Sequence, residues 1–224
     1  MLPQISTRTK LNVSRLFNEL KKIPQTDWCD YLVDRDFLAG RITANQRREI
    51  IAGAITCGQE LARKVRHKYG EITAGQLAYQ LNCTVEHADN QKIHGQIFLA
   101  TFTEPSQIKL YDEPIQKLVA LKLPDLNEDL ITQIVLSHEL FHYFEGQDRA
   151  LYSQTTQIEL WHLFNYHHRT TIRSTSEIAA MSFSWALNDL AFSPLVIDLL
   201  TLACYNQTAA QESLVALQKN QQIS

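Results

Sequence analysis

Residues 126–145 constrain the fold most, because they predict one long helix that must lie largely inside the protein. Asn127 or Asp125 can cap its first turn, and Gly146 can end it. The helix is apolar on several sides through Ile131, Ile134, Val135, Leu136, Leu140, Phe141 and Phe144. A helix that is apolar all round is expected to be buried.

Two histidines and a glutamate interrupt this apolar helix in the segment His138-Glu139-Leu140-Phe141-His142. Residues four apart lie roughly 40° apart around a helix, so both imidazoles can reach one ion. Glu139 is better placed to take a proton from a water molecule than to bind the metal. The pattern predicts a zinc site with His138 and His142 as ligands. The alternative is a pair of hydrogen-bonded core histidines with Glu139 exposed.

A catalytic zinc site needs a third protein ligand and one open position, and the sequence offers four candidates. Glu145 lies nearly two turns from His138, so it is expected behind the ligands or at the surface. Asp148 would require a glycine at position 145 to turn the chain sharply. Three further histidines, His162, His167 and His168, could also reach the metal.

The fourth candidate is Glu177, on a second helix that would pack against the first. The small residues Ala179 and Ala180 beside it would permit close packing of the two helices. A competing explanation needs no metal, since Ser174 and Glu177 have the spacing of a capping box. The spacing alone does not choose between these two roles.

The rest of the chain predicts helices and one hairpin, and therefore a helix-rich α+β fold with a small sheet. The hairpin spans about 96–111, with strands at 96–102 and 107–111, and residues 86–95 are expected to be turn-like. Further helices are expected at about 11–23, 28–38, 43–69, 73–81 and 114–122, and from residue 126 to the chain end. Residues 1–70 would form an N-terminal helical region that could be a subdomain, and residues 71–224 the domain that carries the metal motif.

Composition excludes several classes of function. The net charge of −3 and the pI near 6.2 argue against a general nucleic-acid coat, and the basic cluster at 63–68 only closes a helix. No apolar run is long enough to cross a membrane, and no signal peptide is visible. The cysteines are scattered and are expected to be free thiols: Cys29, Cys57, Cys83 and Cys204. A cytoplasmic protein without nucleic-acid or membrane partners is therefore expected.

The segment His138-Glu139-Leu140-Phe141-His142, followed by Glu177-x-x-Ala180-x-x-Phe183, resembles the ImmA/IrrE family of zinc metallopeptidases. That family has an H-E-L-x-H helix and a later E-x-x-A-N-x-F-A helix. The resemblance covers about residues 73–194, and Met181 stands where the family usually has Asn. It implies a zincin-like domain in which His138, His142 and Glu177 bind Zn²⁺ and Glu139 is the general base.

The resemblance further implies hydrolysis of a peptide bond in a specific intracellular protein, such as a transcriptional regulator. The hairpin strand at 97–102 could hold the extended substrate. The residue that stabilises the oxyanion could be Tyr143, Tyr166, His167 or His168. The alternative function is a non-catalytic regulatory or protein-binding protein, in which His167 or His168 would close a structural zinc site. The sequence leaves the substrate and the oligomeric state open.

Overall fold

The structure is a computed structural model that describes residues 12–90, 92–93, 96–163 and 166–220. Side chains are described for these residues except 92–93, 96, 160–163, 166–169 and 219–220. The helices are α1 (Val13–Leu20), α2 (Gln25–Asp34), α3 (Ala44–Tyr69), α4 (Ala74–Gln80), α5 (Asp112–Val119), α6 (Glu128–Gln147), α7 (Tyr152–Thr155), α8 (Arg173–Leu187), α9 (Leu195–Tyr205) and α10 (Gln207–Asn220), with a 3-10 turn at Ala39–Arg41.

Seven short strands accompany these helices. They are β1 (Thr84–Ala88), β2 (Lys92–Ile93), β3 (Gln96–Ile97), β4 (Ala100–Thr103), β5 (Gln107–Tyr111), β6 (Gln157–Leu163) and β7 (Tyr166–Thr171). The main sheet has the order β1-β5-β4, in which β1 runs parallel to β5 and β4 antiparallel to it. The pairs β2-β3 and β6-β7 are separate antiparallel ribbons. The predicted helix-rich α+β class is confirmed.

The predicted hairpin is confirmed in part. Strands β4 and β5 form it, with Ala100 opposite Leu110 and Thr103 opposite Gln107. The predicted single strand at 96–102 is interrupted. Its first part, β3, pairs with β2, and the chain joins the main sheet only from Ala100 on. The strand therefore has two partners in two different sheets, which local strand propensity cannot reveal.

Two predictions of local structure are wrong. Strand β1 occupies part of the region expected to be turn-like, and its three exposed residues hide the alternation that marks a half-buried strand. The chain after residue 126 is not helical throughout, since β6 and β7 form a hairpin between α7 and α8. Trp161, Tyr166, Thr170 and Thr171 are strand formers, and they outweigh the helical context there.

The ends of the long helices follow the sequence closely. Thr43 and Gln46 form the expected capping box at the start of α3, and Gly70 ends that helix with a φ of 74°, which favours glycine. Asn127 caps α6 by accepting a hydrogen bond from the Leu130 amide at 2.8 Å. Helix α6 continues one residue past Gly146.

Helix α6 lies between two hydrophobic clusters, as its apolar circumference predicts. Ile131, Ile134 and Val135 belong to a cluster that also takes residues from α1, α2, α9 and α10. Leu140 and Phe141 belong to a second cluster with α3 and α8. Helices α1 to α3 thus share both clusters with later parts of the chain, and the division near residue 70 stays a prediction.

Helix α3 approaches α8 so closely that no side chain fits between them at Gly58. A methyl group there would lie 2.2 Å from the carbonyl oxygen of Ala179 and 2.6 Å from the amide nitrogen of Phe183. Because both obstacles are backbone atoms of α8, they cannot move without displacing that helix.

We expect Gly58→Ala to lower the free energy of unfolding by about 2–3 kcal/mol, because the clash outweighs the better helix propensity of alanine. Gly75→Ala in α4 is the matched control, since a methyl group at Gly75 meets nothing within 4 Å. Urea unfolding of both variants measures the difference. Equal midpoints for the two variants would contradict the close approach of α3 and α8.

Candidate metal centre

Two helices bring the three predicted ligands together. The Nε2 atoms of His138 and His142, both on α6, lie 3.2 Å apart, and Glu177 Oε2 on α8 lies 3.5 Å from His138 Nε2. One ligand atom from each residue lies within 4.8 Å of the other two. Ligands of a tetrahedral metal at about 2 Å are roughly 3.3 Å apart, so the spacing suits a divalent ion. The cluster can hold a metal.

A buried carboxylate fixes the orientation of His142. Glu145 Oε2 lies 3.2 Å from His142 Nδ1, and the Ser176 hydroxyl donates a hydrogen bond to the same oxygen at 2.7 Å. When His142 Nδ1 carries the proton that bonds to Glu145, its Nε2 lone pair is free for a metal. Glu145 therefore lies behind the ligands, one of the two places that its spacing from His138 allowed.

Helix α8 does not begin with the capping box that competed for Glu177. Its N-cap is Ile172, which makes no side-chain cap, and Glu177 lies inside the helix. The first turn is held instead from another part of the chain, because Asp36 Oδ2 accepts a hydrogen bond from the Ser174 amide at 2.7 Å. This leaves the Glu177 carboxylate available to the metal centre.

The register between α6 and α8 is set by packing and by a small polar contact. The Ser137 hydroxyl lies 2.8 Å from that of Ser184, and both hydroxyls reach the Ile134 carbonyl oxygen at 2.9 Å. The rings of Phe141 and Phe183 meet with centroids 6.1 Å apart. These buried contacts lie along the helices that carry the ligands, so they fix the distance between the ligand atoms.

The histidine and the carboxylate at the centre stabilise each other's charge. Burial alone would lower the pKa of His138, but the hydrogen bond that its ring donates to Glu177 and the charges of nearby carboxylates outweigh burial and raise the pKa to about 9. Burial alone would raise the pKa of Glu177, but its hydrogen bond and charge interactions with His138, helped by His142 and Arg173, lower it to about 2. Without metal, a proton on His138 supplies the positive charge that the site requires.

Two further polar groups of the centre, on His138 and Glu139, are buried. Nδ1 of His138 is buried and finds no hydrogen-bond partner among the described residues. Glu139 is also buried, and this burial raises the pKa of its carboxyl, although the positive charges of His138 and His142 oppose the shift. A carboxyl with a raised pKa holds a proton more readily than a free glutamic acid does, which suits a group that accepts and donates protons.

The other candidates of the sequence lie elsewhere or cannot be placed. Asp148 caps α6, and its carboxylate accepts a hydrogen bond from the Ala150 amide. Tyr143 packs its ring edge-on against Phe102 and lies outside the described lining of the cleft at the metal centre. The side chains of His162, Tyr166, His167 and His168 lie outside the described residues, so their predicted roles stay predictions.

A cleft of about 760 Å³ opens at the cluster. His138, Glu139 and Glu177 lie in its wall together with Asp198 of α9. Sequence analysis missed Asp198 and Asp36, because each lies in a segment without a recognisable motif. The one available signal was an isolated acid within the most apolar helix of the chain, α9.

Comparisons with protein-family models, with curated proteins and with solved structures found no match for this chain. The resemblance to the ImmA/IrrE family therefore stays a prediction that rests on the motif residues. None of the helices in the described part of the chain has the length and apolarity needed to cross a membrane.

We expect Glu177→Ala to weaken metal binding more than Glu145→Gln does, because only the first removes a ligand. The loss should exceed about 100-fold for Glu177→Ala and be about 10- to 100-fold for Glu145→Gln. Competition with a chromophoric chelator, with zinc as probe ion, measures both. Glu60→Gln, which changes an exposed carboxylate on α3, is the control and should bind like the wild type. Equal affinity of the control and Glu177→Ala would exclude Glu177 as a ligand.

The metal-free protein should lose stability as the pH rises from 6.5 to about 9. The folded pKa of His138 is raised above the ordinary value of 6.5, so its contribution is complete below pH 6.5 and is lost through about pH 9. Glu177, with its lowered pKa, stays ionised across this window. Urea unfolding at both ends of the window measures the change, and His138→Gln should remove it. If the free energy of unfolding of His138→Gln falls between these two pH values as much as that of the wild type, other groups cause the effect.

Proposed function

We propose that the protein is a zinc-dependent metallopeptidase that cleaves a specific protein within the cell. The observation that carries the proposal is the convergence of His138, His142 and Glu177 in one cluster. His138 and Glu177 line an open cleft together with the buried Glu139. Two imidazoles and one carboxylate are the ligand set of many zinc hydrolases. A regulatory protein as substrate is proposed from the resemblance to the ImmA/IrrE family, and a cytoplasmic location from the composition of the chain.

The number of ligands supports catalysis over a purely structural metal site. Within the described side chains, the cluster contains three metal-binding groups, whereas a structural zinc site usually has four. A site with three protein ligands leaves a position open for the reacting groups. A bound zinc ion would act there as a Lewis acid that polarises the scissile carbonyl group and acidifies a water molecule.

Glu139 is the residue that we assign to proton transfer. It follows His138 directly in α6 and lines the same cleft as Glu177. Its raised pKa suits a group that accepts a proton from the attacking water and then donates it to the leaving amine. The Phe102 amide of β4 partly offsets this shift and so links the carboxyl to the sheet.

Strand β4 supports an extended peptide as the substrate. It lies at the edge of the main sheet, where β5 is its partner among the described strands. Ala100, the first residue of β4, and Leu99 before it line the cleft. An edge strand can pair with an extended chain through main-chain hydrogen bonds, which hold a substrate without reading its sequence.

The cleft itself suits apolar peptide side chains. Leu32, Phe98, Met181 and Leu202 line it and are partly exposed, and Phe37 lines it with 98% of its surface exposed. Substrate sites of this size are mostly apolar, with a few polar groups that orient the ligand. A protein segment with apolar residues near the cleaved bond would fit this lining.

We expect Glu139→Gln to lower peptide hydrolysis by about 10²- to 10⁴-fold while the protein keeps its zinc, because the amide binds no proton in this role. Zinc-loaded protein would be incubated with a mixture of peptides from a digested bacterial proteome. Mass spectrometry of the products then measures cleavage, and elemental analysis measures zinc.

Glu60→Gln again serves as the control and should cleave like the wild type. Loss of zinc together with activity in Glu139→Gln would assign Glu139 a structural role. A wild-type protein that holds zinc but cleaves no peptide would favour the non-catalytic alternative.

A further inference from the structure

Helix α9 forms one wall of the cleft. Asp198 is the only charged residue of this helix. The residues around it, Leu195, Val196, Ile197, Leu199 and Leu200, are buried in the core. The Asp198 side chain is open to the water of the cleft, yet the surrounding wall raises the pKa of its carboxyl to about 6. The nearby carboxylates of Glu177 and Glu139 contribute to this shift, and the positive charge of His138 opposes it.

The other charged groups of the cleft already have partners. Asp36 accepts amide hydrogen bonds from Leu38 and Ser174 with its two oxygens. Arg35 lies over the Tyr31 ring, with 5.1 Å between the guanidinium carbon and the ring centroid. Nε of Arg173 lies 3.6 Å from Oε1 of Glu177. Asp198 makes no hydrogen bond or ion pair within the described part of the chain.

The helix dipole alone does not explain why Asp198 lies on the wall of the cleft. It lies in the first turn of α9, where a negative charge favours the helix dipole, but an exposed face would serve that purpose equally well. The first amide of α9 is bonded instead to Ser193, at 3.4 Å from the hydroxyl oxygen. Asp198 is also outside the three-residue metal cluster. Asp198 is exposed in the cleft that His138, Glu139 and Glu177 also line, so its carboxylate is available to a cation that enters the cleft.

We propose that Asp198 binds a cationic nitrogen of the peptide substrate and thereby determines substrate specificity. The inference rests on the proposed function, because it places the cation beside the metal ligands. Two groups of a peptide carry this chemistry: the side chain of a lysine or arginine, and a free N-terminal amine. Either would pair with Asp198 and reduce the mutual repulsion of three carboxylates, those of Asp198, Glu139 and Glu177.

Three hydroxamates, which bind zinc in peptidase clefts through a common group, test the proposal by affinity. The hydroxamate of Nα-acetyl-lysine carries a side-chain cation, that of norleucine carries an α-amine, and that of Nα-acetyl-norleucine carries neither. Calorimetry measures their binding to zinc-loaded wild type and to Asp198→Asn. Asp125→Asn is the matched control, because it removes the same charge from a side chain that is 79% exposed and outside the cleft.

We expect at least one cationic compound to bind the wild type about tenfold more tightly than the uncharged compound. This preference should persist in Asp125→Asn and vanish in Asp198→Asn, which should bind the uncharged compound normally. The compound that shows the preference identifies the source of the cation. Equal affinities of all three compounds for the wild type would overturn the inference and leave the metallopeptidase proposal standing. This outcome is read from the wild type alone, so it does not depend on how the variant folds. Binding of none of them would overturn both.

Discussion

The close packing of α8 against α3 and α6 is the constraint on which the candidate metal centre depends. Gly58 lets the backbones of α3 and α8 approach, and the buried hydroxyls of Ser137 and Ser184 fix α8 against α6. Glu177 and His138 come within 3.5 Å of each other only because these helices have one register. A shift of α8 by one residue would turn the Glu177 carboxylate by roughly 100° and remove it from the cluster.

Charge compensation is the second principle of the site, since a protein interior tolerates few isolated charges. His138 lies next to Glu177, and His142 next to Glu145, so that each imidazole has its own carboxylate. The two pairs differ in function. The Glu177 carboxylate shares the centre with the imidazole nitrogens, whereas Glu145 binds the far nitrogen of His142 and orients the ring. Asp198 departs from this pattern, because it makes no hydrogen bond or ion pair with the residues that the structure describes, and the cation that we propose for it comes from the substrate.

The N-terminal helices, which carry no recognisable motif, also contribute to the site. Asp36 follows α2 and caps α8 from a distance of more than a hundred residues along the chain. Leu32 of α2 and the exposed Phe37, which follows this helix, line the same cleft as Glu139. The region therefore supports the ligand-bearing helix and forms part of the surface that a substrate would meet.

The sequence by itself determined the buried helix α6 and its caps, and it identified His138, His142 and Glu139 as a group, because all of these follow from spacing along one helix. It also named Glu177 as a candidate. It could not determine that Ser174 leaves Glu177 free, since the cap of α8 comes from Asp36, nor that β6 and β7 replace a predicted helical stretch. The proposed role of Asp198 follows only from the cleft that it lines together with residues of α6 and α8. These features depend on contacts between residues far apart in the chain, and only the tertiary structure decides such contacts.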